Sequence, residues 1–310
     1  SAELDNRTLL VSPYSRLCGG EVSVLDPSRL ILPAGSIPDA PIPWVTGYDL
    51  GAGEEILVPA SAVFHPLPRE YPQLFRTSTN GLASGNTSEE AVFHALMEII
   101  ERDAWSLAEV TRDTGPQVGE IDDPLAGSLL EKFGAAGVEV TVKDITSDIG
   151  IPTIAAVSDD TLLQDPALLT IGMGTHTSAR IAVLRALTEV AQSRLTQIHG
   201  AREDTTVADI RKKMGYERTK RMNRYWFSSH ETRNFTDIPS CDTSDFLEDI
   251  DRARERLKEA GLPQVIIVDL TRESIGVPVV RVIVPGLEVF AMDRERIGRR
   301  CHEARDRHFS

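Results

Sequence analysis

No stretch of this sequence approaches the ~20 consecutive apolar residues that a membrane-spanning helix requires, so no such span is expected within it. The opening SAELDNRTLL lacks both the basic region and the apolar stretch of a secretory signal. Aromatic residues are scarce, at 5%, while hydrophobic residues make up 41%, so the core is expected to be aliphatic. Cysteine is scarcer still. Cys18, Cys241 and Cys301 lie far apart and are odd in number, with neither metal-ligand spacing nor a disulfide framework. That usage suits a reducing cytoplasm, the expected location. Positive charge is also short: 33 Lys and Arg against 47 Asp and Glu leave a formal charge of −14. A polyanion needs a basic footprint, so nucleic acid is excluded as the main ligand. A salty cytoplasm or a basic partner would produce the same balance.

What is present alternates between helical and strand-like patterns over 310 residues, enough for one large domain or two ordinary ones. Residues 26–46 hold five prolines and read as an irregular arm over a surface. EEILVPASAVFHP follows as a strand and turn. Helices are expected over 88–109, 123–135, 178–198, 206–223 and 244–260. VEVTVKDI, IPTIAAVS, QVIIVDL and VPVVRVIVP read as strands. The fold class is α/β or α+β.

Two internal matches suggest a duplication. AGVEVTVKDITSDIGIPTIAAV (136–157) parallels AGLPQVIIVDLTRESIGVPVVRV (260–282), each with strand, Asp-φ-Thr, Ile-Gly-φ-Pro and strand, φ being an apolar residue. Upstream, AVFHALMEIIE (91–101) parallels AVLRALTEVAQ (182–192). Two matches in the same order predict repeats over about 88–157 and 178–284, expected to build one sheet around a shared central cavity.

The segment TNGLASGNTSEEAVFHALMEIIERDAW (79–105) concentrates the chemistry. Asn86, Thr87 or Ser88 is suited to cap the helix, with Glu89 and Glu90 at its positive end. At ~100° per residue, Glu101 lies about 20° from Glu90, His94 about 40° and Glu98 about 80° away. Val92, Phe93, Leu96, Ile99 and Ile100 occupy the opposite arc. A row of carboxylates on one face is ordinarily a solvated surface. Here it lacks the Lys at i+4 that such surfaces usually carry. It also follows Gly81 and Gly85, whose backbone can approach a phosphate closely. Glutamates at successive turns suit Mg2+, which takes hard oxygen ligands from carboxylates and phosphates.

The same segment resembles the central signature of the YcaO family. VPVVRVIVPGLE (277–288) resembles its closing signature, and HTSARIAVLRALTEVAQSR (176–194) matches as well. The resemblance implies a single YcaO-like catalytic domain over 1–310. It implies an enzyme that uses ATP and Mg2+ to phosphorylate a backbone amide oxygen of a peptide or protein substrate. A nucleophile then replaces that oxygen, giving an azoline, a thioamide or an amidine. Carried over position by position, Asn86, Glu90, Arg102 and Arg281 match nucleotide-binding residues, and Glu90, Glu98 and Glu101 match Mg2+-facing acids. Glu98, Glu101 and Arg102 form the expected catalytic set. Neutralising the charge of a transferred phosphoryl group with metal and arginine is the chemistry such a set can perform.

Family members ordinarily begin with a further lobe, and this chain starts where the last helix of that lobe would end. The lobe supplies part of the family's nucleotide and metal site, so it is expected as a missing complement, with Ser1 packed beside the acid-lined cavity. Carboxylates crowded together without it are expected to show a raised pKa in at least one case. The proline-rich tail of azoline-forming members is absent, since the last proline is Pro285. That favours the thioamide-forming branch, which works with a TfuA-like partner and a sulfide source and, in methanogens, modifies a glycine of methyl-coenzyme M reductase. The alternatives are an azoline-forming cyclodehydratase and a non-catalytic scaffold that binds substrate or partner. A homo-oligomer is expected.

Other residues read more plainly. His94 and His176 are expected in supporting roles rather than as general bases. Glu189 and Gln192 take the repeat positions of Glu98 and Glu101, and suit a core or substrate-side role. Cys18 and Cys301 lack a partnering His motif, which weighs against sulfur transfer. RKKMGYERTKRMNRYWF (211–227) is the one basic stretch. It is either a partner-binding face or a solvated helix whose Tyr225, Trp226 and Phe227 anchor in the core.

Overall fold

The computed structural model describes residues 9–199, 205–229 and 231–309. Among these the strands are β1 (Leu10–Ser12), β2 (Ser23–Val24), β3 (Ile42–Asp49), β4 (Glu54–Pro59), β5 (Leu82–Ser84) and β6 (Gln117–Val118). They continue as β7 (Val138–Asp144), β8 (Thr153–Asp160), β9 (Thr170–Thr175), β10 (Thr232–Arg233), β11 (Ile266–Asp269) and β12 (Val279–Ile283). The helices are α1 (Tyr14–Leu17), α2 (Ser88–Thr111), α3 (Pro124–Ala135), α4 (Ala179–His199) and α5 (Thr205–Met214). After them come α6 (Tyr216–Met222), α7 (Arg224–Phe227), α8 (Phe246–Glu259) and α9 (Arg299–Phe309). No helix among the described residues is long and apolar enough to cross a membrane.

The chain divides into two compact units. One comprises 1–111 with 243–310, the other 112–242. The first contains a sheet ordered β2-β4-β3-β11-β12-β5, with β1 pairing β3. Helix α2 lies on β5 and β12, flanked by α8 and α9. The core of this unit gathers Trp44, Val58, Phe64, Ile266 and Val268. The second unit holds the sheet β10-β6-β7-β8-β9, with α4 on β8 and β9 and α3 on β7. Its core is built from small and branched residues, among them Val142, Ile154, Ala182, Val183, Ala186 and Val190. The mixed α/β class is as expected. The single sheet is not: β7–β8 and β11–β12 belong to different sheets.

The two repeat hairpins share one turn design. Asp144 Oδ1 accepts from the Thr146 N–H at 3.1 Å, and Asp269 Oδ1 from the Thr271 N–H at 2.8 Å. The Thr146 and Thr271 hydroxyls then accept from Thr153 N–H (3.0 Å) and Val279 N–H (3.1 Å), the first residues of the second strands. Gly150 and Gly276 both lie in the left-handed region, at φ 73° and 71°, where glycine alone is unstrained. Each hairpin is also extended by a strand that leads directly into a long helix, β9 into α4 and β5 into α2. The helix matched by sequence to each hairpin therefore belongs to the other unit. Helix α2 lies on β12 and α4 on β8.

In the second unit, a Cβ on Gly172 would meet Val190 N at 2.1 Å, and one on Gly174 would meet Ala182 O at 2.1 Å. Helix α4 thus rests directly on the backbone of β9. Glu189 on this helix is half-buried, whereas Gln192 is exposed and takes no core role. His176 Nδ1 accepts from the Ser178 N–H at 2.9 Å at the start of the helix, a structural role as expected. The basic segment expected as one helix is broken by Gly215 at φ 79°.

Candidate nucleotide and metal site

Helix α2 is long because residues 88–111 contain neither Gly nor Pro and place an apolar stripe toward β5 and β12. Of the three residues suited to cap it, Thr87 does so. Its hydroxyl accepts from the Glu90 N–H at 3.2 Å and its carbonyl from the Ala91 N–H at 3.1 Å. Asn86 is thereby left to hold Glu90, donating from its backbone N–H (2.7 Å) and its Nδ2 (2.8 Å) to Oε2. His94 Nε2 lies 3.5 Å from Oε1 of the same carboxylate. The Asn86 backbone and side-chain donors, helped by His94, hold the Glu90 carboxyl below the usual range. The expectation of a raised pKa is reversed for Glu90, because donors and not other carboxylates surround it.

Two turns on, Glu98 Oε2 accepts from the Gly81 N–H at 3.2 Å. Gly81 needs its missing side chain: a Cβ there would meet Val282 O at 2.5 Å and Ile99 Cγ2 at 2.8 Å. Arg102 lies 3.9 Å from Glu98 and 3.6 Å from Glu101, with its guanidinium 5.3 Å from the Trp105 ring centre. Glu101 is 4% exposed, so it is a buried acid and not part of a wet face. It returns to nearly the angle of Glu90 after about three turns but differs in depth, because the middle of the helix is covered where its first turn is not.

Arg281, on β12 opposite Leu82, is buried and donates from Nη1 to Ser78 O at 2.9 Å. With Ser78, Asn80 and Ile99 it lines a cavity of about 70 Å3. Ser78 and Asn80 were not singled out by sequence, although Asn80 directly precedes the Gly81 turn.

The structure therefore forms three linked groups: Asn86–Glu90–His94, Gly81–Glu98–Arg102–Glu101, and Ser78–Arg281. It does not draw the three glutamates together. Among the described residues, no three His, Cys, Asp or Glu side chains are grouped to hold a metal ion. Glu98 and Glu101 instead share a cation, the Arg102 guanidinium. The donor set still fits a nucleotide with a hard divalent ion. Its carboxylates are oxygen ligands, and Asn80 Oδ1 and Arg102 Nε are buried without a hydrogen-bond partner among the described residues. The expected packing of Ser1 lies outside those residues.

Behind α2 stands a second buried network that sequence reading missed. Asp103 accepts from Arg300 Nε (3.0 Å) and Nη2 (2.9 Å), and from the Glu288 N–H (2.9 Å). Glu288 in turn accepts from the N–H groups of Gly298 and Cys301 at 2.8 and 2.9 Å, capping α9. Burial raises the Asp103 carboxyl against the pull of Arg300. Burial, with Glu288 beside it, pushes the Cys301 thiol far up, so it is inert as a nucleophile. Only the glutamate of the PGLE motif hinted at this network.

A mixed α/β fold with acids and an arginine along one long helix, an asparagine just before it and a buried arginine on the neighbouring strand fits a class of nucleotide-using enzymes. Residues 1–288 match the family model for YcaO cyclodehydratase, ATP- and Mg2+-binding, and the chain belongs to the YcaO family. It is 56% identical over 287 residues to an uncharacterised protein of Methanothermobacter thermautotrophicus, covering 90% of this chain and 74% of that one. An uncharacterised protein in the tfuA 3′ region of Rhizobium leguminosarum bv. trifolii is 34% identical, with 80% of this chain and 61% of the relative covered. The chain thus spans less than two thirds of the rhizobial relative. Among solved structures, YcaO from Methanopyrus kandleri bound with AMPPCP and Mg2+ is similar at 33% identity and a TM-score of 0.76, covering 91% of this chain and 72% of that one. The heterocyclase TruD superposes with a TM-score of 0.77 at 25% identity, covering 94% and 44%.

Proposed function

We propose that the protein activates a backbone amide of a peptide or protein substrate with ATP and Mg2+, and that sulfur then replaces the amide oxygen to give a thioamide. The observation that carries this reading is the placing of Glu90, Glu98, Glu101 and Arg102 along one helix, with Asn86 just before it and Arg281 on the strand it packs against, in a chain one-third identical to a YcaO protein that binds AMPPCP and Mg2+. Bound ATP·Mg2+ supplies the phosphoryl group that turns the amide oxygen into a leaving group. Glu98 and Glu101 are the carboxylates that would hold Mg2+, an ion that typically takes one or two carboxylates and substrate oxygens. Glu90, fixed by Asn86, takes part in the same nucleotide site. Arg102 and Arg281 offset the charge that develops on the phosphoryl oxygens. Sulfide adds to the activated carbon and phosphate leaves, so sulfur is exchanged for oxygen and ADP and phosphate are released.

The tfuA-region relative supports the thioamide branch and a TfuA-like partner. A glycine of methyl-coenzyme M reductase is the substrate we favour, and the 56% identity to a Methanothermobacter protein is consistent with it. The family description as a cyclodehydratase and the likeness to TruD favour a second reading, azoline formation. Mass spectrometry of a peptide incubated with ATP, Mg2+ and sulfide separates them. The thioamide gains the mass difference between sulfur and oxygen, whereas the azoline loses one water. No ADP release in the presence of substrate, sulfide and partner would leave only the scaffold reading.

A further inference from the structure

The segment from Arg211 to Arg224 carries seven Lys or Arg and one acid, in a chain whose formal charge is −14. Its fold sorts these residues by role. Tyr216 Oη donates to Asp159 Oδ1 at 2.6 Å, and Lys220 pairs with the same carboxylate while lying over the Tyr216 and Phe227 rings. Trp226 is 1% exposed, and the Tyr225 carbonyl accepts from the Thr114 hydroxyl at 2.7 Å. Lys143, wholly buried, donates to the Tyr225 and Ser228 carbonyls at the end of α7. The anchors are thus Tyr216, Lys220 and Trp226. Of the six remaining cations Arg211 is half-buried, while Lys212, Lys213, Arg218, Arg221 and Arg224 are exposed, together with Met222. Among the described residues none of these five makes an ion pair. Arg224 also borders a cleft of about 400 Å3 whose charged lining is mixed, with Arg112 beside Asp113 and Glu231, so the cleft itself is not part of the basic face.

A solvated helix face in an acidic protein would ordinarily pair such cations with neighbouring carboxylates, which this chain has in excess. Among the described residues, the carboxylate that this stretch reaches, Asp159, is spent on Lys220 and Tyr216. We propose that the α5–α7 face docks an acidic segment of a partner polypeptide. Screening decides between acidic protein and nucleic acid. At physiological salt the field of exposed charges decays over about 8 Å, so a local basic cluster attracts a short anionic segment despite the net charge. Helix α5 is only about 15 Å long, and a nucleic acid with a phosphate every few ångströms would soon run onto acidic surface. Arginine forks at Arg218, Arg221 and Arg224 suit carboxylates, and Met222 among them offers an adaptable apolar contact. This proposal stands independently of the amide chemistry.

The test is fluorescence anisotropy of the full chain with a labelled oligoglutamate of about twelve residues, whose extended reach is about 40 Å, comfortably covering the face. Binding is expected at low salt and is expected to weaken about tenfold or more in the Arg218→Glu/Arg221→Glu/Arg224→Glu variant. The milder Arg218→Gln/Arg221→Gln pair is measured beside it, with far-UV circular dichroism as a fold control, and should fall between. Unchanged oligoglutamate affinity in folded variants overturns the proposal. So does oligo-dT of similar length, or a phosphatidylserine vesicle, binding more tightly than the peptide and losing that binding in the same variants.

Discussion

Glu90 and Glu101 look equivalent on a helical wheel, yet they sit in different surroundings. Glu90 is partly exposed and held by Asn86, while Glu101 is 4% exposed beside Arg102. Removing either is expected to abolish nucleotide turnover in a complete assembly, read as loss of ADP release. Their structural costs should differ, because only Glu101→Ala removes a buried side chain and leaves the half-buried Arg102 short of one partner. That variant should lose about 1–3 kcal/mol in urea denaturation, and Glu90→Ala much less. For Glu90 the pH dependence follows from its lowered pKa. A carboxyl whose folded pKa lies below its unfolded value stabilises above the unfolded pKa, and that contribution is lost as pH falls through the folded one. Asn86→Ala should bring the Glu90 carboxyl back toward the ordinary range in a carbon-13 NMR titration. The backbone N–H remains in that variant, so a Glu90 midpoint unmoved by the change would show that the Asn86 side-chain donor does not help to set it. The acids and Arg102 were legible in sequence because they lie on one helix, and Asn86 because it directly precedes the helix cap. Their depths were not, since depth depends on what covers each turn.

At the scale of elements, two packing devices hold the long helices. Helix α9 is tied to α2 through Arg300, Asp103 and Glu288, all buried. Breaking a buried pair by removing one partner leaves an uncompensated charge, so Arg300→Met should cost about 3–5 kcal/mol. Hydrogen exchange should then show the amides of α9 losing protection before those of β7–β8. Helix α4 is seated on β9 through Gly172 and Gly174. Gly174→Ala has no room against helix backbone and should cost about 1–3 kcal/mol, read as a lowered urea midpoint. Strand and helix boundaries within the repeats followed from periodicity and from the Asp-φ-Thr and Ile-Gly-φ-Pro turns. Strand β9 and helix α9 escaped notice. The first is interrupted by its glycines and the second is mostly charged or polar, so neither carries a clear apolar period.

For the whole molecule, an excess of fourteen negative charges means self-repulsion that added salt should relieve. The melting temperature is therefore expected to rise between about 0.05 and 0.5 M NaCl, while oligoglutamate binding weakens over the same range. A melting temperature that falls with salt would place more weight on ion pairs such as Arg194–Asp160 than on net charge. By itself the sequence determined the α/β class, the paired hairpins with their shared turn chemistry, and the family signature, because each rests on residues close together along the chain. Only the tertiary structure decided that the two hairpins enter separate sheets, and that each long helix lies on the hairpin matched to the other repeat. It alone buried Glu101 beside Arg102 and left five cations of the α5–α7 face outside. Sheet membership and burial are set by contacts between residues far apart in sequence, and a linear pattern of residue types carries which face is apolar but not which distant surface will cover it.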